Sequence, residues 1–367
     1  MSQSERYAAW IGLDWADQSH WVCLRETGQH EYESFRLRQQ PAAIHEWVAG
    51  LRLRFGGRPV ALAVEQSRGP LLYALMEYDF LVLYPVNPVG LASYRKAFRL
   101  SGAKDDPSDA QLLLELLEQC HRQLNAWQPQ DSRTRKLRLL VQQRRKLVQD
   151  RTRLVNRLTG QLKESFPQVL QWFGSIAQPT ALQFLSRWPS LQQAQRARAA
   201  SLGKYFRRRR LERIAEIRQQ VALTDDEAVL EVHPRVVTIL VGLLQELQKG
   251  IATLDTRIER CLKTHPDSLI FASFPGAGPV QTPRLVAAFG TDRNRWDVYS
   301  MRCFSGIAPV TKQSGQSCWS HHRLICPKFL KQTFHEFAQC SIPHCRWANA
   351  YYHQQRQRGA SQHKAIR

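Results

Sequence analysis

At 367 residues, 43% of them hydrophobic and 23% charged, the chain has the makeup of a globular protein large enough for two or three cores. Its net charge of +21, carried mostly by arginine, is not ordinary and implies a polyanionic partner, nucleic acid before membrane surface. No stretch reaches the ~18–20 apolar residues of a membrane span, no signal-peptide pattern opens the chain, and the eight cysteines form no CxxC pair. A membrane-spanning or disulfide-stapled protein is thereby excluded, and a cytoplasmic one is expected by default.

Three short strands are predicted first, at Tyr7–Leu13, Trp21–Arg25 and Tyr32–Leu37, separated by polar turns. A helix over Pro41–Arg54 follows, then a strand at 59–65, a helix near Pro70–Tyr78, a strand at Phe80–Pro85 and a helix from Pro88. That order is the one expected of a ribonuclease-H-like α/β domain, here residues 1–125. Residues 126–132 read as a linker ending in a helix cap at Ser132. Beyond it, Leu140, Leu147 and Leu154 recur every seven residues, a long amphipathic helix. Its other faces carry Arg133, Arg135, Lys136, Arg138, Arg144, Arg145, Lys146, Arg151, Arg153 and Arg157 against the single acid Asp150, a pattern suited to lying along phosphates. The run Arg207–Arg210 is a further phosphate candidate.

Leu240, Leu244, Leu247, Ile251, Leu254, Ile258 and Cys261 alternate in steps of four and three, a coiled-coil seam serving either self-association or an intrachain hairpin. Residues 126–265 thus read as a helical, coiled-coil region for RNA or DNA binding and oligomerisation. The remainder, 266–367, is expected to be mainly α. It opens on Phe274-Pro275-Gly276-Ala277-Gly278-Pro279, a tight turn whose N–H groups suit a phosphate or serve structure alone, before a helix at Thr282–Phe289. The segment Lys312-Gln313-Ser314-Gly315-Gln316-Ser317 reads as a flexible exposed loop.

Four acids stand out against the basic background. Asp14 closes the apolar run Trp10–Leu13, and Glu65 closes Val60–Val64. In Asp105-Asp106-Pro107-Ser108-Asp109, Asp106 reads as a helix N-cap, Pro107 as the first helical residue, and Asp109 falls three past the cap. Carboxylates at strand ends and a helix start emerge at a sheet edge, where α/β folds place their sites. Such hard oxygen ligands select Mg²⁺ or Mn²⁺ and suit two-metal phosphoryl transfer.

Ile11-Gly12-Leu13-Asp14, Val64-Glu65 and Lys104-Asp105-Asp106-x-x-Asp109-Ala110 resemble the DEDD transposases of bacterial insertion sequences, relatives of the Piv invertase. Pro275–Pro279, Gly306-Ile307-Ala308-Pro309, Ser314-Gly315 and Lys328 follow that family's second domain in order, so the resemblance covers nearly the whole chain. The family more often has Thr where Asp105 stands, which leaves Asp105 or Asp106 as the third ligand; the D-x-x-D spacing favours Asp106. The resemblance implies a recombinase with a RuvC-like domain binding Mg²⁺ through Asp14, Glu65, Asp106 and Asp109, joined by a coiled coil to a transposase domain with a nucleophilic serine. It implies donor and target DNA as substrates, a bridge RNA as guide, and a homo-oligomer in which acids and serine come from neighbouring subunits. Ser314 matches the family's serine position; Ser305 and Ser317 are the alternatives. Relatives tend to continue past the helical pattern beginning at Ala360, which leaves a truncated copy as an alternative reading. Competing readings are a junction-resolvase-like metal nuclease without a serine step and an inactive transposase that only binds nucleic acid. A sugar-kinase-like ATPase lacks its Gly-rich phosphate loops here.

Overall fold

Ile11, Leu13, Leu62 and Val64 alternate with Trp10, Gly12, Ala61 and Ala63, so these strands are apolar on both faces and each face must be covered. A computed structural model describes residues 6–65, 69–98, 105–206, 210–292 and 296–367. It divides the chain into two compact units, Met1–Pro129 and Gln130–Arg367.

The first unit is built on β1 (Ala9–Asp14), β2 (Ser19–Glu26), β3 (Glu33–Arg38), β4 (Val60–Val64) and β5 (Leu81–Pro85), in sheet order β3-β2-β1-β4-β5. The first three strands form an antiparallel meander, while β4 runs parallel to β1 and β5 parallel to β4. This is the mixed sheet expected of a ribonuclease-H-like domain. Helices α1 (Pro41–Phe55) and α2 (Pro70–Leu75) cover the face carrying Ile11, Leu13 and Leu62. Helices α3 (Pro88–Phe98) and α4 (Asp106–Cys120) cover the other, packing on Trp10, Ala61 and Ala63. Proline begins α1, α2 and α3, where its missing N–H removes no helical bond. Gly12 lets α4 approach closely: a Cβ there would lie 2.0 Å from the Ala110 carbonyl oxygen and 2.4 Å from the Leu114 nitrogen.

The second unit opens with α5 (Ser132–Ser165), capped by Asp131 and not by Ser132. Asp131 Oδ1 accepts the N–H groups of both Arg133 and Thr134, and its Oδ2 accepts the Thr134 hydroxyl, a third bond that a single serine oxygen would not leave room for. Short helices α6 (Val169–Trp172), α7 (Pro179–Arg187), α8 (Leu191–Arg196), α9 (Ala199–Leu202) and α10 (Arg210–Gln219) lead to the long α11 (Glu227–Lys263). Then come α12 (Ser268–Ala272), α13 (Gln281–Phe289), α14 (Val298–Phe304), the hairpin β6 (Val310–Ser314) and β7 (Ser317–His321), and α15 (Lys328–Ser341), α16 (Arg346–Gln357) and α17 (Gln362–Ile366). No helix among the described residues is long and apolar enough to cross a membrane.

Within this chain the four-three repeat of α11 faces α5. Leu240, Leu244, Ile251 and Ile258 are buried, and the two helices run antiparallel, since Arg133 donates to the Thr264 carbonyl, Arg144 pairs with Asp255, and Gln161 meets His233. The α5–α11 pair also shares a core with the residues that follow it: Leu137, Val141 and Ile258 pack with Phe271, Leu285 and Val286. Part of the basic face of α5 is engaged within the unit: Arg135 and Arg138 donate to the Gln130 and Ala287 carbonyls, Arg144 pairs with Asp255 and Arg145 with Glu336, while Arg153 pairs with Asp150 on the helix itself. The expected phosphate contacts at Arg207–Arg210 lie outside the described residues, save the Arg210 backbone.

Helix α13 is buried on every side, including Arg284, 3% exposed. Its guanidinium donates to Glu336 on α15, which also receives Arg145. Burial by itself would raise the Glu336 carboxyl; hydrogen bonding and charge from Arg284, then charge from Arg145, hold it below the ordinary glutamate value. Glu336→Ala strands the Arg284 charge, and the expected loss is about 3–5 kcal/mol, read as a fall in urea midpoint at pH 7. The stabilisation from Glu336 is full above the unfolded glutamate value of about 4.3 and disappears as pH drops through the lowered folded value. A midpoint unmoved by Glu336→Ala would show that Arg284 is satisfied by other groups.

Candidate functional site

The alternation that puts Trp10 and Gly12 against α4 puts Asp14 on the same face. Glu65 directly follows β4 on the alternation of Ala61 and Ala63, which also pack toward α4. Helix α4 runs back along β1: His121 lies 5.0 Å from the Trp10 ring, Ala110 and Leu114 abut Gly12, and the Pro107 carbonyl faces Cys23, the cross-strand partner of Gly12. Its N-terminus therefore sits at the carboxyl end of β1. Two strand ends and one helix start bring Asp14, Glu65, Asp106 and Asp109 to one edge and one face of the sheet.

The helix start differs from expectation by one residue. Asp105 is the N-cap, its Oδ1 accepting the Ser108 N–H at 2.8 Å, and Asp106 is the first helical residue with Pro107 second. Proline is tolerated at either position because the first N–H groups have no helical partner. Both carboxylates are exposed, but that of Asp105 is engaged in capping while Asp106 lies in the first helical turn and caps nothing. Asp109, 3% exposed, accepts a 2.5 Å ion pair from Arg95 of α3. Asp14 is 9% exposed. The turn after it is held by His20, fully buried, whose Nδ1 accepts the Ala16 N–H while Nε2 meets the Gln39 side-chain oxygen at 2.5 Å. Burial, opposed by the Gln39 bond, keeps the His20 imidazole below its ordinary pKa. Neither Arg95 nor His20 was legible in the sequence, because each acts on a partner through tertiary contact.

The donor chemistry of the four acids fits a hard divalent cation, all oxygen and no sulfur or imidazole. Among the described residues, however, no group of three or more His, Cys, Asp or Glu side chains is placed to hold a metal ion. Arg95 supplies positive charge to Asp109 in this arrangement.

The serines separate clearly. Ser305 is fully buried at the end of α14, its hydroxyl donating to the Arg302 carbonyl, so it is not available as a nucleophile. Ser314 and Ser317 face each other across the two-residue Gly315-Gln316 turn joining β6 to β7. Gly315 takes φ 56°, the left-handed backbone such a hairpin turn requires. The segment expected to be a flexible loop is thus a hairpin, exposed almost throughout, with Ser314 at its tip. The Gly276 turn is used for packing: Gly276, at φ 84°, lies so close to α15 that a Cβ would meet the Cys340 backbone at 2.6 Å. The N–H groups of Ala277, Gln281 and Thr282 are bonded within the turn.

A ribonuclease-H-like sheet with acids along this edge is the architecture of metal-dependent nucleic-acid-processing enzymes. The family model for IS110-type DEDD transposases, described as "Transposase", matches residues 11–167, and the model described as "Transposase IS116/IS110/IS902 family" matches residues 268–353. The "Mini-circle putative transposase for IS117" of Streptomyces coelicolor is 26% identical over 368 residues, spanning 95% of this chain and 87% of the relative. The "Putative transposase y4uE" of Sinorhizobium fredii is 28% identical over 56% of this chain and 57% of its own length. The "Insertion element IS116 uncharacterized 44.8 kDa protein" of Streptomyces clavuligerus is 24% identical over 86% of this chain and 79% of its own length. The chain belongs to the IS110/IS116/IS902 family of DEDD transposases.

Proposed function

We propose that the protein cuts and rejoins the DNA strands of an insertion sequence, with Ser314 as nucleophile and Asp14, Glu65, Asp106 and Asp109 as the acidic platform. The observation that carries this reading is the placement of Ser314, exposed at a hairpin tip inside the segment that matches the transposase model, while Ser305 is buried. The Ser314 hydroxyl attacks the phosphorus of a phosphodiester. A serine Oγ–P bond forms, a P–O bond to one sugar breaks, the serine proton leaves, and the departing sugar oxygen takes up a proton. Rejoining reverses these steps with the hydroxyl of another strand end, so the bond energy is conserved through the exchange. The acids would hold Mg²⁺ or Mn²⁺, which when bound supplies charge stabilisation to the phosphoryl group. Asp14 and Asp109 are held rigidly by burial, and Asp106 presents its carboxylate at the open edge.

The same reading takes donor and target DNA as substrates and a bridge RNA as guide, supported by the family resemblance and by Lys136, Lys146 and Arg157, which stay exposed on α5. It takes a homo-oligomer in which the acids of one subunit serve the serine of another. Covalent trapping tests it. Incubation with element-end DNA is expected to give a denaturant-stable protein–DNA adduct that Ser314→Ala abolishes and Ser317→Ala retains, with exchange falling on the order of 10⁴-fold in the first variant. Undiminished strand cleavage in Ser314→Ala would instead identify a hydrolytic metal nuclease.

A further inference from the structure

Gly306 and Ile307, just before the hairpin that carries Ser314, line one wall of a cavity of about 580 Å³ whose other walls come from α15, α16 and α17. Two features of the lining are chemical. Phe334, Phe337 and Trp347 give it aromatic surface, while Lys328, Lys331 and Arg367 give it positive charge, and among the described residues no Asp or Glu side chain lines it. At its rim, Trp347 stacks on Tyr351 with ring centroids 5.5 Å apart and planes within 11°. Trp347 is 74% exposed, and α16, which carries both rings, buries none of its residues. Exposed, parallel rings beside a cationic recess are how proteins receive bases that have left a double helix. The volume falls in the range of small-ligand pockets and suits one nucleotide, while a paired duplex is too wide to enter.

We propose that this cavity seats one unpaired nucleotide of a single DNA strand, its base against the aromatic wall and its phosphates toward Lys328, Lys331 and Arg367. Ammonium and guanidinium groups pair with phosphate, and the aromatic wall accepts any base by its flat face, so the site reads strandedness in preference to sequence. Joined to the hairpin through Gly306–Pro309, it holds a nucleotide of the strand being exchanged. The assignment to DNA rests on the serine chemistry proposed above; the preference for an unstacked nucleotide does not.

The experiment uses the full chain and a single-stranded deoxyoligonucleotide of about ten nucleotides containing one 2-aminopurine, whose fluorescence is quenched by stacking. Trp347→Ala and Lys328→Ala remove exposed side chains, and circular dichroism checks that both variants fold. Trp347→Ala is expected to relieve the quench and weaken single-strand binding about tenfold or more, leaving duplex binding within about twofold. Lys328→Ala is expected to weaken single-strand binding and lower its salt slope by about one. Ser314→Ala is expected to bind the oligonucleotide as the parent does, which separates this site from the covalent chemistry. Parental single-strand affinity in Trp347→Ala, or an equal loss for duplex, overturns the proposal. Tenfold tighter binding of the matching oligoribonucleotide overturns the assignment to DNA.

Discussion

Asp106→Ala is expected to lower strand exchange on the order of 10³-fold while leaving stability within about 0.5 kcal/mol, because it removes an exposed carboxylate that caps nothing. Asp105→Ala is expected to do the reverse. It deletes the cap on the Ser108 N–H and costs about 1 kcal/mol of stability, with exchange within a few-fold of the parent. Measured side by side, by urea unfolding and by recombination of element ends, the pair separates two adjacent aspartates by role. An exchange defect in Asp105→Ala larger than that in Asp106→Ala would move the third acid of the platform to Asp105. The difference matters because the two positions are chemically alike, and only the backbone tells them apart.

Gly12→Ala is the second variant expected to act strongly. The new methyl meets the backbone of α4, at the Ala110 oxygen and the Leu114 nitrogen, and backbone cannot rotate out of the way as a side chain can. Either the helix or β1 must shift, at a cost of about 3 kcal/mol. In a unit of this size that is roughly a 10 °C fall in its melting temperature. The shift also moves Asp106 and Asp109 relative to Asp14, so exchange is expected to fall by more than the unfolded fraction explains, on the order of 10²-fold for a displacement near 1 Å. Thermal melts and exchange assays below the transition check both parts. A Gly12→Ala protein as stable and active as the parent would show that α4 does not seat on β1 at this point.

The first unit was readable in the sequence almost strand by strand. Expected strands at Tyr7–Leu13 and 59–65 fall on β1 and β4, and the helix expected over Pro41–Arg54 is α1. Buried strands between proline-started helices leave strong apolar runs, and the acids stand out because they end those runs. What failed to show was anything settled by partners distant in the chain or by the absence of burial. The β6–β7 hairpin is solvent-facing on both sides, so no alternation of apolar and polar residues marks it. Asp105 and Asp106 offer identical side chains beside one proline, and only helix geometry decides which caps. The arginines of α5 looked uncommitted because Asp255 and Glu336 lie more than a hundred residues further on. The repeat in α11 was visible, but the side it faces was left open until α5 was found along it.

The antiparallel pairing of α5 with α11 bears on how members of this family are recombined by design. The first family match runs to residue 167, taking in the whole of α5, whereas α5 folds with the second unit and finds its partner some hundred residues later. Chimeras spliced at the end of that match would confront α5 of one parent with α11 of another, across a seam that buried leucines and the Arg144–Asp255 pair hold in this chain. Splicing between Pro129 and Gln130 keeps both helices from one parent and makes the foreign junction a loop.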